Sequence, residues 1–323
     1  MIELDKNLAL EFLQKNNVVC SDIIKVAGDA SFRSYYRVFC VDKSYILMFA
    51  PPKYEDVKPF IAVDEYLRKN NLPAPEIFHI DETNGFLLLE DFGDVSLTKI
   101  LKEFPDRELE LYKSSIDCLI ELHKKENPQQ IKLYNSSELL REVFLFIDWY
   151  LPLKNKKPTP KEVFAFKKTF LNLFDELNSS CDETKRVVAL RDYHADNLMV
   201  VNDSEIRLLD FQDALIGSKS YDLVSLIEDA RRDLKPENSL KIYDYFLEQS
   251  NLSPELFKKE YEILSLQRNI KILGIFARLS KRDGKKRYLD LLPRVEKYVI
   301  SRLESDSPYL RETSQIIKSF NLF

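Results

Sequence analysis

The sequence predicts an α+β fold in two lobes: a small, β-rich N-terminal lobe over residues 1–90 and a larger, mostly helical C-terminal lobe over 91–323. Three observations predict it. At 323 residues, 45% of them hydrophobic, the chain can bury a sizeable core and exceeds the size of an ordinary single domain. Strand and turn patterns crowd its first part, whereas helical periodicities dominate the remainder. The stretch from Val187 to Ala214, VVALRDYHADNLMVVNDSEIRLLDFQDA, interrupts those helices with short apolar strands that carry Asp192, Asn197 and Asp210.

That stretch has the parts of a phosphoryl-transfer site. Moving a γ-phosphoryl group asks little covalent work of a protein, but it requires an oriented acceptor hydroxyl and Mg²⁺ to neutralise developing charge. Kinases place a base Asp in a catalytic loop, an Asn five residues later on one metal ion, and an Asp after the next strand on another. Asp192 fits the base, and Asn197 and Asp210 fit the metal ligands. Strands over Leu198 to Val201 and Ile206 to Leu209, joined by a tight turn at Asn202-Asp203-Ser204, bring Asn197 and Asp210 together although thirteen residues separate them. Such hard oxygen ligands suit Mg²⁺ rather than zinc. One Asp or Asn alone would be ordinary turn chemistry; three at this spacing are not.

With these residues the chain resembles the aminoglycoside phosphotransferase-like kinases, relatives of the protein kinases that act on small molecules. Their catalytic loop usually reads His-x-Asp-aromatic-His-x-x-Asn, and Leu190-Arg191-Asp192-Tyr193-His194-Ala195-Asp196-Asn197 matches it except that Leu190 replaces the first His. Asp210-Phe211-Gln212-Asp213-Ala214, followed by Gly217 and Tyr221-Asp222-Leu223, resembles one branch in particular, the bacterial cell-wall amino-sugar kinases that phosphorylate N-acetylmuramate and N-acetylglucosamine at the anomeric carbon. The resemblance runs over most of the chain. It implies a protein-kinase-like bilobal fold and ATP with Mg²⁺ as cofactors.

In chain order, Leu4 to Lys15 carries Leu4, Leu8 and Phe12 at helical spacing and reads as an opening amphipathic helix. Gly28 to Val38 reads as a turn between two strands, and Tyr45 to Phe49 as a third strand. The resemblance makes that turn the loop over the phosphates, with Gly28, Ser31 and Arg33 as nucleotide contacts in an Asp-Ala-Ser-x-Arg stretch; an ordinary hairpin with a surface Arg is the plain alternative. The third-strand Lys of most kinases is missing, because Met48 stands near its place, so Arg33 or Arg37 is the candidate replacement charge. Pro59 opens a helix to Asn70 with Phe60, Val63 and Leu67 on its buried face, and Glu65 is the candidate helix Glu. Phe86 to Gly93 reads as a buried strand ending in a turn. The resemblance makes it the strand that joins the lobes and reads the adenine edge, which places Glu90 and Phe92 at the nucleotide.

Beyond residue 100, Glu108 to Lys124 has the apolar spacing of a core helix, and Glu138 to Leu151 reads as an amphipathic helix stopped by Pro152. Trp149, the only Trp, is a residue either for stacking on a sugar, with Glu142 and Asp148 accepting its hydroxyls, or for core packing. Tyr221 to Arg232 reads as a helix, and the resemblance implies that Asp222 fixes the catalytic loop by hydrogen bonding. Ser253-Pro254 supply the N-cap and first position of a helix running toward Lys281. Within it Arg268 and Lys271 are candidates to meet an acceptor carboxylate, as against a solvated helix face, and Asp213 joins them as a candidate acceptor contact.

Composition excludes other classes. With 48 basic against 53 acidic residues, a net charge of −5 gives no footprint for nucleic acid. Cys20, Cys40, Cys118 and Cys181 are widely spaced, with no C-x-x-C pair, so neither a zinc site nor a disulfide framework is expected. No basic-then-apolar leader and no apolar run near roughly 18 residues is visible, so the expectation is a cytoplasmic protein without membrane contact. Six glycines and no low-complexity tract argue against a long flexible linker. The expected function is an ATP-dependent kinase whose partner is a small-molecule acceptor, an amino sugar first. An aminoglycoside, choline or amino-alcohol kinase, and a nucleotide-binding pseudokinase, are the alternatives; oligomeric state is open.

Overall fold

A computed structural model of the chain describes residues 4–27, 32–180 and 186–322. In chain order the elements begin with α1 (Lys6–Lys15), β1 (Asp22–Ala27), β2 (Ser34–Phe39), β3 (Ser44–Phe49), α2 (Lys58–Lys69), β4 (Ile77–Asp81), β5 (Phe86–Glu90) and α3 (Leu97–Glu103). Then come α4 (Glu108–His123), α5 (Ser136–Leu145), a π-helical turn (Phe146–Tyr150), α6 (Leu151–Leu153), α7 (Pro160–Ser180), β6 (Val187–Ala189), β7 (Leu198–Val201), β8 (Glu205–Leu208) and β9 (Leu215–Gly217). The chain closes with α8 (Ser220–Ile227), α9 (Pro236–Ser250), α10 (Pro254–Asp283), α11 (Leu292–Leu303) and α12 (Arg311–Ser319). This is the α+β content expected. Packing divides the chain into two compact units, Met1–Ile100 with Asp196–Asp213, and Leu101–Ala195 with Ala214–Phe323.

The first unit is built on an antiparallel sheet in the order β1-β2-β3-β5-β4. Strand alternation sends Tyr36, Val38, Leu47, Phe49, Phe86 and Leu88 to one face, where Ala9, Phe12 and Leu13 of α1 complete a single apolar cluster. Of the expected stripe on α1, Phe12 is buried and Leu4 packs against the cluster, but Leu8 is not part of it. Leu8 is 40% exposed, and Ala9 with Leu13 is buried in its place. Asp5 caps the helix by accepting the N–H of Asn7 at 2.9 Å and of Leu8 at 3.3 Å. On α2, Phe60, Val63 and Leu67 are buried as the spacing predicts, with Pro59 in the first turn. The β7–β8 hairpin packs within this unit: Val200 N–H donates to Val95 C=O at 2.8 Å, Leu208 N–H donates to Pro73 C=O at 2.9 Å, and the rings of Phe60 and Phe211 lie 4.9 Å apart. Its turn takes positive φ at Asn202 (45°) and Asp203 (75°), residue types that tolerate the left-handed region in tight hairpins.

The second unit is organised by α10, thirty residues long and buried on nearly all sides from Glu260 to Ala277, as a central helix must be. Ser253 Oγ caps it by accepting the N–H of Leu256 at 3.3 Å, and Gly284 ends it at φ 69°. At Gly274 a Cβ would lie 2.3 Å from the carbonyl carbon of Leu145, so only glycine lets α5 approach α10 this closely.

Two helix ends differ from expectation. Pro152 does not stop the segment before it; the π turn shifts the hydrogen-bond pairing, and the chain continues into the turn of α6 that contains Pro152. α8 stops at Ile227 rather than near Arg232, because Glu228 leaves helical geometry and turns its carboxylate inward. There Ser265 Oγ (2.7 Å), Arg302 (2.8 Å) and Tyr261 OH (3.2 Å) donate to it.

Candidate active site

Within the first unit, the β7–β8 hairpin brings Asn197 and Asp210 together. Leu209 N–H donates to Asn197 C=O at 3.0 Å, Asn197 Nδ2 lies 3.4 Å from Asp210 Oδ2, and Gln212 Nε2 donates to Asp210 Oδ1 at 3.0 Å. Asp210 sits at φ 58°, a left-handed position that turns its half-exposed carboxylate out of the strand direction. An Arg33 guanidinium nitrogen stands 3.8 Å from Asp210 Oδ1. Among the described residues no three His, Cys, Asp or Glu side chains group as a metal centre. The amide and carboxylate oxygens of Asn197 and Asp210 nevertheless fit Mg²⁺, which is commonly held by one or two protein oxygens, with water and phosphate oxygens completing its shell.

Of the nucleotide candidates, Gly28 and Ser31 lie outside the described residues. Arg33 is beside Asp210, whereas Arg37 is committed elsewhere. It donates to Asp91 at 2.6 and 3.0 Å, to Asp94 at 2.9 Å and to Gly93 C=O at 3.1 Å. Hydrogen bonding to Asp91 raises Arg37; burial would raise Asp91, but the bonds from Arg37 and Ser44 outweigh it and hold that carboxyl below its usual range. Met48 is fully buried, in register with Tyr35 and Leu87, so no lysine occupies that part of β3. Glu65 points to solvent. The acid that α2 turns inward is its neighbour Asp64, 2% exposed, with no partner for Oδ1 among the described residues and a carboxyl pushed by burial up to about 7. Sequence reading missed Asp64; its place one turn after Phe60 on the buried face was the available signal. Glu90, the last residue of β5, and Phe92, just beyond it, are half-buried; Glu90 accepts the N–H of Glu76 at 3.1 Å, and the Arg207 guanidinium lies 5.8 Å from the Phe92 ring centre. Gly93 comes next, at φ 80°.

Within the second unit, β6 leads into the loop of Asp192. Asp222, fully buried at the start of α8, accepts the N–H of Leu190 at 2.7 Å and of Arg191 at 2.8 Å. Ser225 Oγ donates to Arg191 C=O at 3.2 Å, and Tyr193 OH donates to Ser115 C=O at 2.7 Å. Leu190, in place of the usual His, is buried in a loop fixed by these four hydrogen bonds. Burial pushes Asp222 up to about 6, against the pull of those two N–H groups, and it drives His194 well below the usual imidazole range.

Beside this loop is a polar knot that sequence reading did not assemble. Glu142 Oε1 meets Arg191 and, at 3.2 Å, Lys271; Glu142 Oε2 accepts from Tyr134 OH and, at 3.1 Å, from Gln267 Nε2. Lys271 also donates to Tyr221 OH at 3.1 Å. Burial would raise Glu142, but Lys271 and Arg191 outweigh it and keep the carboxyl below its usual range. Arg268, the other cation considered on α10, is buried and donates to Ser225 Oγ at 2.8 Å and to Glu228 C=O at 3.3 Å. Trp149 is half-buried in the π turn, and Asp213 is exposed.

Comparisons with known proteins show the family and the fold. Residues 22–249 match the phosphotransferase enzyme family. An N-acetylmuramate/N-acetylglucosamine kinase of Pseudomonas aeruginosa is 34% identical over 306 residues, covering 93% of this chain and 88% of the relative. One from Neisseria meningitidis is 33% identical over 86% of this chain and 84% of its own length. Among solved structures, a choline kinase from Streptococcus pneumoniae matches with a TM-score of 0.67 at 14% identity, over 92% of this chain and 99% of that one. A spectinomycin phosphotransferase matches at 0.60 and 16% identity over 98% of each chain. At such identities these structures share the fold alone.

Proposed function

The chain belongs to the phosphotransferase enzyme family, and we propose that within it the protein is an ATP-dependent kinase that phosphorylates N-acetylmuramate or N-acetylglucosamine at the anomeric hydroxyl. One observation carries the substrate: the relative of Pseudomonas aeruginosa with that acceptor in its name aligns over 93% of this chain, far beyond any local motif. Because ATP is the donor, the proposed place of action is the cytoplasm.

The work is divided among a few residues. Asp192 accepts the proton of the acceptor hydroxyl as its oxygen attacks the γ-phosphorus and ADP departs. An anomeric hydroxyl is more acidic than an ordinary alcohol, so a carboxylate base suffices. Asp222 holds the loop of Asp192 through Leu190 and Arg191. Asn197 and Asp210 hold Mg²⁺, whose charge offsets that of the phosphate oxygens. Arg33, beside Asp210, supplies the positive charge that the missing third-strand lysine would have brought.

The test is phosphorus NMR of the product formed from ATP and each amino sugar. A sugar 1-phosphate shows coupling to the anomeric proton and is lost in mild acid. A 6-phosphate would keep the kinase and overturn the anomeric assignment; turnover of choline or an aminoglycoside in place of both sugars would overturn the substrate.

A further inference from the structure

We propose that Arg191 and Lys271 form a carboxylate-binding subsite for the acceptor, so that the lactyl acid of N-acetylmuramate is a recognised part of the substrate; this rests on the amino-sugar reading above. In the knot two cations, Arg191 and Lys271, meet on one carboxylate oxygen, Glu142 Oε1. Arg191 has Glu142 and lies in the field of Asp192, but Lys271 shares the same Glu142 oxygen that Arg191 holds. Side-chain exposures of 13% for Arg191 and 10% for Lys271 leave little water about the two cations, so a carboxylate that reaches them meets charges only weakly screened by solvent.

Donor geometry points the same way. An ammonium has three N–H bonds, and Lys271 directs two of them to Glu142 and Tyr221 OH. Among the described residues the third has no acceptor, and it remains for a ligand. Gln267, fully buried next to them, donates to Glu142, and among the described residues its side-chain carbonyl oxygen has no partner, which leaves it as an acceptor for an N–H or O–H on the same ligand.

Position relative to the chemistry comes from the backbone. Arg191 sits at φ 72° with its N–H bound by Asp222 at 2.8 Å and its C=O by Ser225 at 3.2 Å. Its guanidinium is thereby fixed 5.2 Å over the ring centre of Tyr134, while the next residue in the chain is Asp192. A carboxylate held by Arg191 and Lys271 therefore brings the sugar that bears it to the loop of the base. A neutral sugar offers this pair only hydroxyl and amide oxygens, weaker acceptors than a carboxylate.

The test compares kcat/KM for N-acetylmuramate and N-acetylglucosamine in the wild-type enzyme and in Lys271→Met, with N-acetylmuramate methyl ester as a third acceptor. The expected result is that Lys271→Met lowers the acid-to-neutral kcat/KM ratio about tenfold or more, the scale of one lost charged hydrogen bond. Wild-type enzyme should discriminate against the ester by a similar factor, and Lys271→Met should add little to that loss. Equal losses for both sugars, or an ester as good as the acid in wild-type enzyme, would overturn the subsite. The ester comparison needs no substitution, so it decides even if the variant folds poorly. If wild-type enzyme turns over neither sugar, the amino-sugar reading itself has failed.

Discussion

The carboxylate of Asp222 receives the backbone N–H of Leu190 at 2.7 Å, at the position where the resembled catalytic loops carry a histidine. Loop support here comes from a buried acid on the following helix, which binds the next N–H as well and leaves the side chain of residue 190 free to be apolar.

That dependence has a pH signature. Asp222→Asn puts an amide N–H₂ against one of two N–H donors, and turnover should fall about 10²-fold through misplacement of Asp192. Because burial raises the Asp222 carboxyl to about 6, the folded chain binds that proton more tightly than the unfolded chain. Protonation thus adds stability as pH falls through 6 while it loosens the loop, so kcat should decline on an acid limb near pH 6. The same limb in Asp222→Asn would assign it to another group.

Asp192→Asn should reduce turnover by about 10²- to 10⁴-fold, with nucleotide affinity and melting temperature little changed, as expected for a lost general base. Steady-state rates with a calorimetric ADP titration check this hypothesis. Near-normal turnover would remove Asp192 from the mechanism.

Asp210→Ala should weaken ADP binding with Mg²⁺ present far more than in chelator, since its carboxylate is proposed to reach the nucleotide through the metal. Equal losses in the two titrations would mean a structural role.

The two arginines of the first unit should separate cleanly. Arg33→Ala should raise KM for ATP or lower kcat with little change in stability. Arg37→Ala leaves Asp91, whose side chain is 4% exposed, without its main partner and should cost about 3–5 kcal/mol in unfolding free energy. A stable Arg37→Ala with impaired ATP use would reverse the assignment.

Asp64 offers a stability test away from the reaction. Burial raises its carboxyl to about 7, so this group favours folding below its unfolded value near 4 and loses that contribution as pH rises through 7. Asp64→Asn should raise the melting temperature at pH 8 and flatten its change between pH 6 and 8. An unchanged slope would show that Asp64 does not titrate there.

These residues also show what the sequence made legible. α2 could be read because it buries one face only: Phe60, Val63 and Leu67 recur at helical spacing above solvated neighbours. Asp192, Asn197 and Asp210 could be singled out because strands and turns fix their spacing locally. The middle of α10 is buried all round, so Gln267, Arg268 and Lys271 carry no periodic sign of which way they face. The contact of Glu142 with Arg191 and Lys271 joins segments 49 and 129 residues apart, and no local rule reaches that far. Pro152 misled for the opposite reason, since the rule that proline ends a helix assumes the ordinary hydrogen-bond step that the π turn abandons.

Gly274 sets the spacing of more than a helix crossing. It lies three residues beyond Lys271, as Leu145 lies three beyond Glu142, so the contacts 142–271 and 145–274 advance together and the two helices run in the same sense here. The absent methyl group at 274 thus acts as a gauge for the ion pair one turn away. Widening that gap would lengthen the reach from Lys271 to Glu142, and the charge balance beside the loop of Asp192 is tuned, in the end, by a residue that has no side chain.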